Sequence, residues 1–243
     1  MRAFTIFTFL VLAVTAHAAD AFDLKVANID VLQDKNVQAE LGITAGQLKS
    51  MNVFAAQYSA TNKTKIEEYQ KAKKQIDQAF SDFHVKQYIL LRNNVLKLLS
   101  PNQVKRLREL TLQAAGPRAL LDKSVADKVG IPPTEYNSFC AAIREGDQKV
   151  AKIKKEVSDK IQVKYKGQKP PTTKKESDAL RLKVNTDISI EMRKHEAEMK
   201  TVLSASEAKT SKIITKKYLD ALQVLMGKRF TPPKPAAPKK PGK

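Results

Sequence analysis

Apolar residues recur at three- and four-residue steps along most of the chain, which is the spacing of one face of an α-helix. The longest run comprises Tyr136, Phe139, Cys140, Ile143, Val150, Ile153, Val157 and Ile161. Shorter runs comprise Phe80, Phe83, Ile89, Leu90, Val95 and Leu99, and then Ile214, Tyr218, Leu222 and Leu225. No segment shows the clear two-residue alternation of a half-buried strand. The pattern therefore predicts an all-α protein.

A short motif that is typical of a helix start occurs four times in the chain. The copies are Ile43–Gln47, Leu99–Gln103, Ile131–Glu135 and Leu203–Glu207. In three of them a Ser or Thr precedes a Gln or Glu by three residues, as in a capping box. The residues that we expect to cap helices are Thr44 with Gln47, Ser100 with Gln103, Pro132 with Glu135, and Ser204 with Glu207.

The segments around the first and third copies repeat each other at an offset of 88 residues. Residues 31–37 correspond to 119–125, and Gly42-Ile43 corresponds to Gly130-Ile131. Each copy has an Asp that can start a short helix and a Gly that can end it before the next helix begins. The repeat predicts short capped helices that connect longer ones.

These features predict two tandem units of long antiparallel helices, covering residues 19–117 and 118–230. The polar stretch 166–173 indicates a turn between two antiparallel helices of the second unit. The turn of the first unit stays open among residues 59–62, residues 81–82 and a continuous long helix.

Both ends of the chain differ from its middle. A basic start, an apolar run from Ala3 to Ala16 and an Ala-His-Ala site predict a signal peptide over residues 1–18, cleaved near Ala18. A membrane anchor or buried helix is the alternative, although the run is shorter than the ~20 residues that span a bilayer. Residues 231–243 are rich in Pro and Lys and predict a disordered basic tail. We therefore expect a periplasmic or secreted protein.

The composition excludes several classes of protein. Eight glycines in 243 residues are about half the usual share, which disfavours Rossmann and P-loop enzymes and β-barrels. The single cysteine, Cys140, cannot form an internal disulfide and is expected to be a small core residue, with a redox thiol or an intermolecular disulfide as the alternatives. No catalytic motif is present, so we expect a non-enzymatic protein without a cofactor.

The chain is strongly basic, with a formal net charge of +19. The excess lies mainly after residue 117, and one helix and its turn carry many lysines. The candidate basic binding face consists of Lys149, Lys152, Lys154, Lys155, Lys160 and Lys164. Such a face attracts acidic proteins, an anionic polymer or a membrane surface, and a merely solvated helix face is the alternative. Nucleic acid is disfavoured by export and by the lack of aromatic platforms among the lysines.

Metal ligands are sparse in the sequence. Met192, His195 and Met199 are spaced to share one helix face, where soft ligands can hold Cu(I). One helix supplies too few ligands for a closed site, so we expect no metal centre and keep these three residues as weak candidates.

The four motif copies, the predicted signal peptide, the helical pattern and the basic charge together resemble the Spy/CpxP-like family of periplasmic proteins, which is named for an L-T-x-x-Q motif. The resemblance implies antiparallel helical hairpins that often form a homodimer. It also implies ATP-independent binding of unfolded proteins, or of partner proteins in envelope-stress signalling. The runner-up is a basic envelope protein whose main partner is an anionic polymer such as lipid head groups or cell-wall polymer.

Overall fold

The computed structural model describes residues 19–169 and 171–232. These residues form ten α-helices and two 3₁₀ turns and contain no β-strand, which confirms the all-α prediction. The helices are α1 Ala21–Val26, α2 Lys35–Glu40, α3 Ala45–Lys71, α4 Gln78–Lys97, α5 Pro101–Ala115, α6 Lys123–Val129, α7 Pro133–Tyr165, α8 Lys174–Lys194, α9 Glu196–Ile213 and α10 Lys216–Met226. The 3₁₀ turns are Ile29–Gln33 and Gly116–Leu121. The predicted signal peptide and residues 233–243 of the predicted tail lie outside the described residues.

The described residues divide into two compact units. The first unit contains residues 19–116 together with 226–232, and the second contains residues 117–225. No helix in either unit is long and apolar enough to cross a membrane.

The core of the first unit is built around α5. Its inner face, Val104, Leu107 and Leu110, is at most 4% exposed. The other buried apolar members of this core are Ala27, Ile29, Leu32, Val37, Leu41, Met51, Val95, Leu96 and Leu99. They come from the first 3₁₀ turn, from α2, and from the start of α3 and the end of α4. The far ends of α3 and α4 therefore lie outside this core.

Two arginines tie α1 to the rest of the first unit. The Nε of Arg108 on α5 lies 2.9 Å from Oδ1 of Asp23, and both side chains are about nine-tenths buried. Arg92 on α4 donates to the carbonyls of Lys25 and Ala27, each at 3.0 Å. Because the last carbonyls of a helix have no partner within it, this guanidinium satisfies groups that α1 leaves free.

The hairpin of the first unit turns between α3 and α4, at residues 72–77. Lys73 adopts a left-handed φ of 49°, and Asp77 caps α4 by accepting the backbone amide three residues further on, at 2.8 Å. Neither 59–62 nor 81–82 forms the turn, because both segments lie inside continuous helices.

Aromatic side chains hold the two helices together near this turn. The Tyr69 and Phe80 rings lie 4.8 Å apart between centroids, and Phe80 lies 4.3 Å from the His84 ring. Both pairs are edge-to-face, a favoured geometry for such rings. All three side chains are only half-buried, so the far end of this hairpin is thinly packed.

In the second unit α7 packs antiparallel to α8 and α9. Lys160 contacts Glu191 at 2.9 Å and Lys164 contacts Asp187 at 2.7 Å, so residue numbers rise on one helix as they fall on the other. The turn predicted over 166–173 lies between the end of α7 and the start of α8, which confirms that prediction.

The contact between α7 and α9 is close at one point. A Cβ added to Gly146 would lie 2.9 Å from both the Cβ and the Oγ of Ser206. The Ser206 hydroxyl donates to the carbonyl of Ala142 at 3.1 Å. A glycine on one helix and a small residue on the other therefore permit this approach.

The 88-residue repeat has the same local geometry in both copies. Asp34 caps α2 and Asp122 caps α6, each accepting the amide two residues further on at 2.7 Å. Gly42 and Gly130 follow with φ of 60° and 84°, a region that an L side chain rarely adopts. The predicted short helices that start at Asp and end at Gly are confirmed.

The last described segment does not belong to the unit in which the sequence pattern places it. Residues 226–232 belong to the first unit, whereas the sequence pattern places 226–230 in the second unit and 231–232 in the tail. The amide of Gln113 donates to the carbonyls of Met226 and Lys228 at 2.7 and 2.8 Å, and its oxygen accepts the backbone amide of Phe230 at 2.8 Å. These bonds dock the segment onto α5, and the Phe230 ring packs against the core there. The sequence gives no sign of them because they join residues more than 110 positions apart.

Candidate functional site

The first two motif copies form complete capping boxes. Oγ1 of Thr44 accepts from the amide of Gln47 at 3.1 Å, and Oε1 of Gln47 accepts from the amide of Thr44 at 2.9 Å. Ser100 and Gln103 repeat both bonds, at 3.3 and 2.9 Å. The predicted helix starts at these two copies are therefore confirmed.

The two glutamines also bond to each other. Nε2 of Gln47 donates to Oε1 of Gln103 at 2.9 Å and to the carbonyl of Leu98 at 2.7 Å. Nε2 of Gln103 donates to the carbonyl of Leu41 at 3.1 Å. Each glutamine side chain thus caps the helix that its own motif starts. Gln47 also satisfies the carbonyl of Leu98 at the end of α4, and Gln103 satisfies the carbonyl of Leu41 at the end of α2. This arrangement joins both ends of the hairpin to the core, which is a structural role.

The third copy starts a helix in a different way. α7 begins at Pro133, and Pro132 at the cap makes no side-chain hydrogen bond because proline has no acceptor in its ring. Glu135 lies in the first turn, where a carboxylate is favoured by the helix dipole. It also contacts Tyr218, whose pKa is raised by burial and by the hydrogen bond to this carboxylate.

The prediction of a helix start at the fourth copy is wrong. Ser204 and Glu207 lie inside α9, which runs from Glu196 to Ile213 without a break. No Gly or Pro precedes the motif to end a helix, and the packing of Ser206 on α7 favours a continuous helix. The helix start nearest to this copy is at His195–Glu196.

The six lysines of the predicted basic face do not form one face. At 3.6 residues per turn, Lys152 and Lys154 lie about 160° apart around α7. Lys160 and Lys164 point to α8, where they contact Glu191 and Asp187. Lys149 and Lys155 contact acidic residues on α7 itself, Glu145 and Asp159. Ion pairs within α7 and between α7 and α8 thus engage four of the six lysines.

Two of the glutamates bridge helices of the second unit. Glu145 accepts from Lys149 at 2.7 Å and from Lys209 on α9 at 2.6 Å, and these hydrogen bonds lower its pKa to about 2. Glu191 lies between Lys194 and Lys160, whose hydrogen bonds lower its pKa to about 2 as well. Part of the positive charge of the unit therefore serves to hold its helices together.

The weak metal candidates do not share one continuous helix. α8 ends at Lys194 and α9 begins at Glu196, so Met192 and Met199 lie on opposite sides of a break at His195. Nδ1 of His195 lies 3.1 Å from a carboxylate oxygen of Glu198. Within residues 19–169 and 171–232, no three His, Cys, Asp or Glu side chains are grouped as metal ligands would be.

Cys140 is half-buried, so the prediction that it is a core residue is wrong. It lines an open groove of about 500 Å³ together with Leu121, Tyr136 and Ile143. The Tyr136 hydroxyl donates to the carbonyl of Leu121 at 2.8 Å, and a hydrogen bond with Cys140 raises the pKa of this tyrosine.

The first hairpin exposes large aliphatic side chains that its packing does not use. We call them the α3–α4 apolar surface; they are between 40% and 75% exposed and comprise Val53, Ile66, Ile76, Val85, Ile89 and Leu90. Val85 and Ile89 are four residues apart and so lie on one side of α4. The sequence shows that α4 has a dense apolar pattern but not which of its apolar residues stay exposed. Their exposure depends on the segments that pack against the helix.

One further capping box was missed. Thr173 and Glu176 cap α8 in the same way as the first two motif copies, without the apolar residue that precedes those copies. The T-x-x-E spacing was sufficient to find it.

A scan against protein-family models finds none that matches this chain, and searches of curated proteins and of solved structures return no significant match. The functional argument therefore rests on the α3–α4 apolar surface.

Proposed function

We propose that the chain is an exported, non-enzymatic protein that binds unfolded or partner proteins of the envelope without ATP, as a chaperone-like or stress-adaptor protein. The observation that carries this proposal is the α3–α4 apolar surface. Soluble monomers usually expose large aliphatic residues singly, whereas Val85 and Ile89 lie next to each other on one side of α4, and adjacent exposed aliphatic groups favour an interaction site.

The position of this surface favours a non-specific partner. It lies on a hairpin whose far end packs only through half-buried aromatic side chains, and it includes Ile76 in the turn at 75% exposure. Lys65 approaches the Tyr69 and Phe83 rings at 5.6 and 5.4 Å, so a cation lies beside the aromatic groups of this hairpin. Such a mixed surface attracts an acidic or unfolded chain by charge and retains it by burying apolar groups.

The resemblance to the Spy/CpxP-like family supports the same proposal. It rests on the helix-start motifs, of which the copies at Thr44 and Ser100 keep the glutamine. The family's antiparallel hairpins and its binding of unfolded or partner proteins are properties that we propose for this chain.

The test is suppression of aggregation. A chemically unfolded model protein is diluted with and without the chain from Ala19 onward, at low and at physiological ionic strength. We expect suppression at stoichiometric ratio without ATP. The double substitution Val85→Ser and Ile89→Ser should reduce it strongly, because it removes two exposed apolar groups while the core stays intact.

The matched control is Leu219→Ser with Val224→Ser on α10, two aliphatic residues that are 40% and 79% exposed in the other unit. Equal loss in both variants, or no suppression by the unchanged chain, would contradict the proposal. A homodimer that buries the same surface is the competing explanation. If Val85→Ser with Ile89→Ser converts a dimer to a monomer and leaves suppression unchanged, the surface is a dimer interface.

A further inference from the structure

The second hairpin ends in a concentration of positive charge. We call residues 163–169 and 171–183 the α7–α8 tip. It contains seven cationic and two acidic side chains, a net charge of +5. The cations are Lys164, Lys166, Lys169, Lys174, Lys175, Arg181 and Lys183.

The acids near the tip neutralise little of this charge. Asp187, beyond the tip, pairs with Lys164. The Glu176 carboxylate accepts the backbone amides of Thr172 and Thr173 at 2.8 and 3.1 Å, and these bonds lower its pKa. The other six cations of the tip are exposed, and none has an acidic partner within 4.0 Å among the described residues.

Apolar side chains stand exposed among these cations. Val163 on the last turn of α7 is 73% exposed and Leu182 on α8 is 70% exposed. None of the 21 residues of α8 is buried. The side chains of Val163 and Leu182 therefore contribute little to folding. Their exposure to water is unfavourable in free energy, and a partner that buries them removes this unfavourable contribution.

We propose that the α7–α8 tip docks on a bilayer that contains anionic phospholipid. Unpaired cations are attracted to anionic head groups, and neighbouring aliphatic side chains enter the boundary between head groups and acyl chains. A soluble polyanion would bind the cations but would leave Val163 and Leu182 in water. A nucleic acid would also need aromatic platforms, whereas the one aromatic ring of the tip, Tyr165, has its hydroxyl bonded to Asp187 at 2.5 Å.

The experiment measures partition of the chain from Ala19 onward into sedimenting vesicles. The vesicles contain phosphatidylcholine alone or an equal mixture with phosphatidylglycerol. We expect binding to the mixed vesicles only, and weaker binding as salt rises. A basic residue near an anionic surface contributes about a fivefold gain in partition, so substituting Lys166, Lys169, Lys174 and Lys175 by Gln should weaken binding roughly a hundredfold or more.

The matched control substitutes four exposed lysines of the first unit by Gln, namely Lys49, Lys86, Lys97 and Lys105. It removes the same total charge and should weaken binding far less. Val163→Ser with Leu182→Ser should weaken binding roughly tenfold and should remove the part that resists salt. All substituted residues are exposed, and circular dichroism should show unchanged helicity in every variant.

Equal losses in the tip and control variants would overturn the proposal, and so would binding to double-stranded DNA or polyphosphate without binding to vesicles. This proposal does not depend on client binding. The tip variants should still suppress aggregation at physiological ionic strength in the absence of lipid, so each of the two functions can fail without the other.

Discussion

Replacing Gly146 by Ala should destabilise the second unit, although the same change stabilises most helices. Ala is favoured over Gly by about 1 kcal/mol in a helix interior. Here the new methyl group would lie 2.9 Å from two side-chain atoms of Ser206. One of these is a Cβ, which cannot rotate away. The other is the Oγ that bonds to Ala142, and moving it would sacrifice a hydrogen bond of about 1 kcal/mol.

The steric cost of the new methyl group can be compared with the gain in helix propensity. Overpacking between fixed elements costs about 1–3 kcal/mol, and the loss of the Ser206 hydrogen bond adds to it. After the gain in helix propensity is subtracted, we expect Gly146→Ala to lower the free energy of unfolding by about 1–3 kcal/mol. Urea denaturation followed by far-ultraviolet circular dichroism measures this change.

A helical glycine without close neighbours provides the control. The nearest atom to a Cβ at Gly46 would be Oγ1 of Thr44, at 3.9 Å. Gly46→Ala should therefore be neutral or stabilising. In a Ser206→Gly background, Gly146→Ala should become stabilising, because the obstructing atoms are gone. The reasoning is refuted if Gly146→Ala stabilises the unchanged chain as much as Gly46→Ala does.

Three further predictions concern the ion pairs and the motif. Arg108→Met should cost about 3–5 kcal/mol of unfolding free energy by denaturant titration, because it leaves the Asp23 carboxylate buried without its cation. Gln103→Glu should cost about 1–3 kcal/mol in the same assay, because a carboxylate cannot donate to the carbonyl that this amide satisfies. The denaturation midpoint should fall as pH decreases from about 4.5 to about 2, because Glu145 and Glu191 bind protons more readily in the unfolded state. Substituting both by Gln should flatten this pH dependence, measured as urea midpoints.

Controls separate these effects from general loss of stability. Gln70 is exposed on α3, so Gln70→Glu should leave the midpoint within about 0.5 kcal/mol of the unchanged chain. An unchanged denaturation midpoint after Arg108→Met would mean that the buried pair of Arg108 and Asp23 does not contribute to stability. A pH dependence that survives the double Gln substitution would assign acid sensitivity to other carboxylates.

The local features of the fold could be predicted from the sequence. The boxes at Thr44 and Ser100, the caps at Asp34 and Asp122, and the left-handed Gly42 each depend on atoms within about four residues of one another. A helix cap satisfies orphan amides of its own first turn, so its residues must be adjacent in the chain. The helical period and the polar stretch at 166–173 predicted the class of fold and the turn of the second hairpin for the same reason.

The incorrect predictions have one physical cause. Tertiary packing selects among local conformations that the sequence alone leaves open. Ser204 carries the motif, but the helix continues through it because the neighbouring Ser206 packs against α7. The first hairpin turns at Lys73, a residue without turn preference that takes a left-handed conformation. The lysines of α7 looked like one cationic face, but α8 supplies carboxylates to two of them, and acidic residues of α7 itself pair with two more.

The sequence by itself determined that this protein is helical, that capped helices begin at Thr44 and Ser100, and that its charge is basic. Those properties follow from residue type and from spacing along the chain. The tertiary structure alone decided that Gln47 meets Gln103, that Asp23 is buried against Arg108, and which apolar residues stay exposed. Each of these depends on which distant segments come into contact, since a side chain is buried or paired only by the surface that is brought against it.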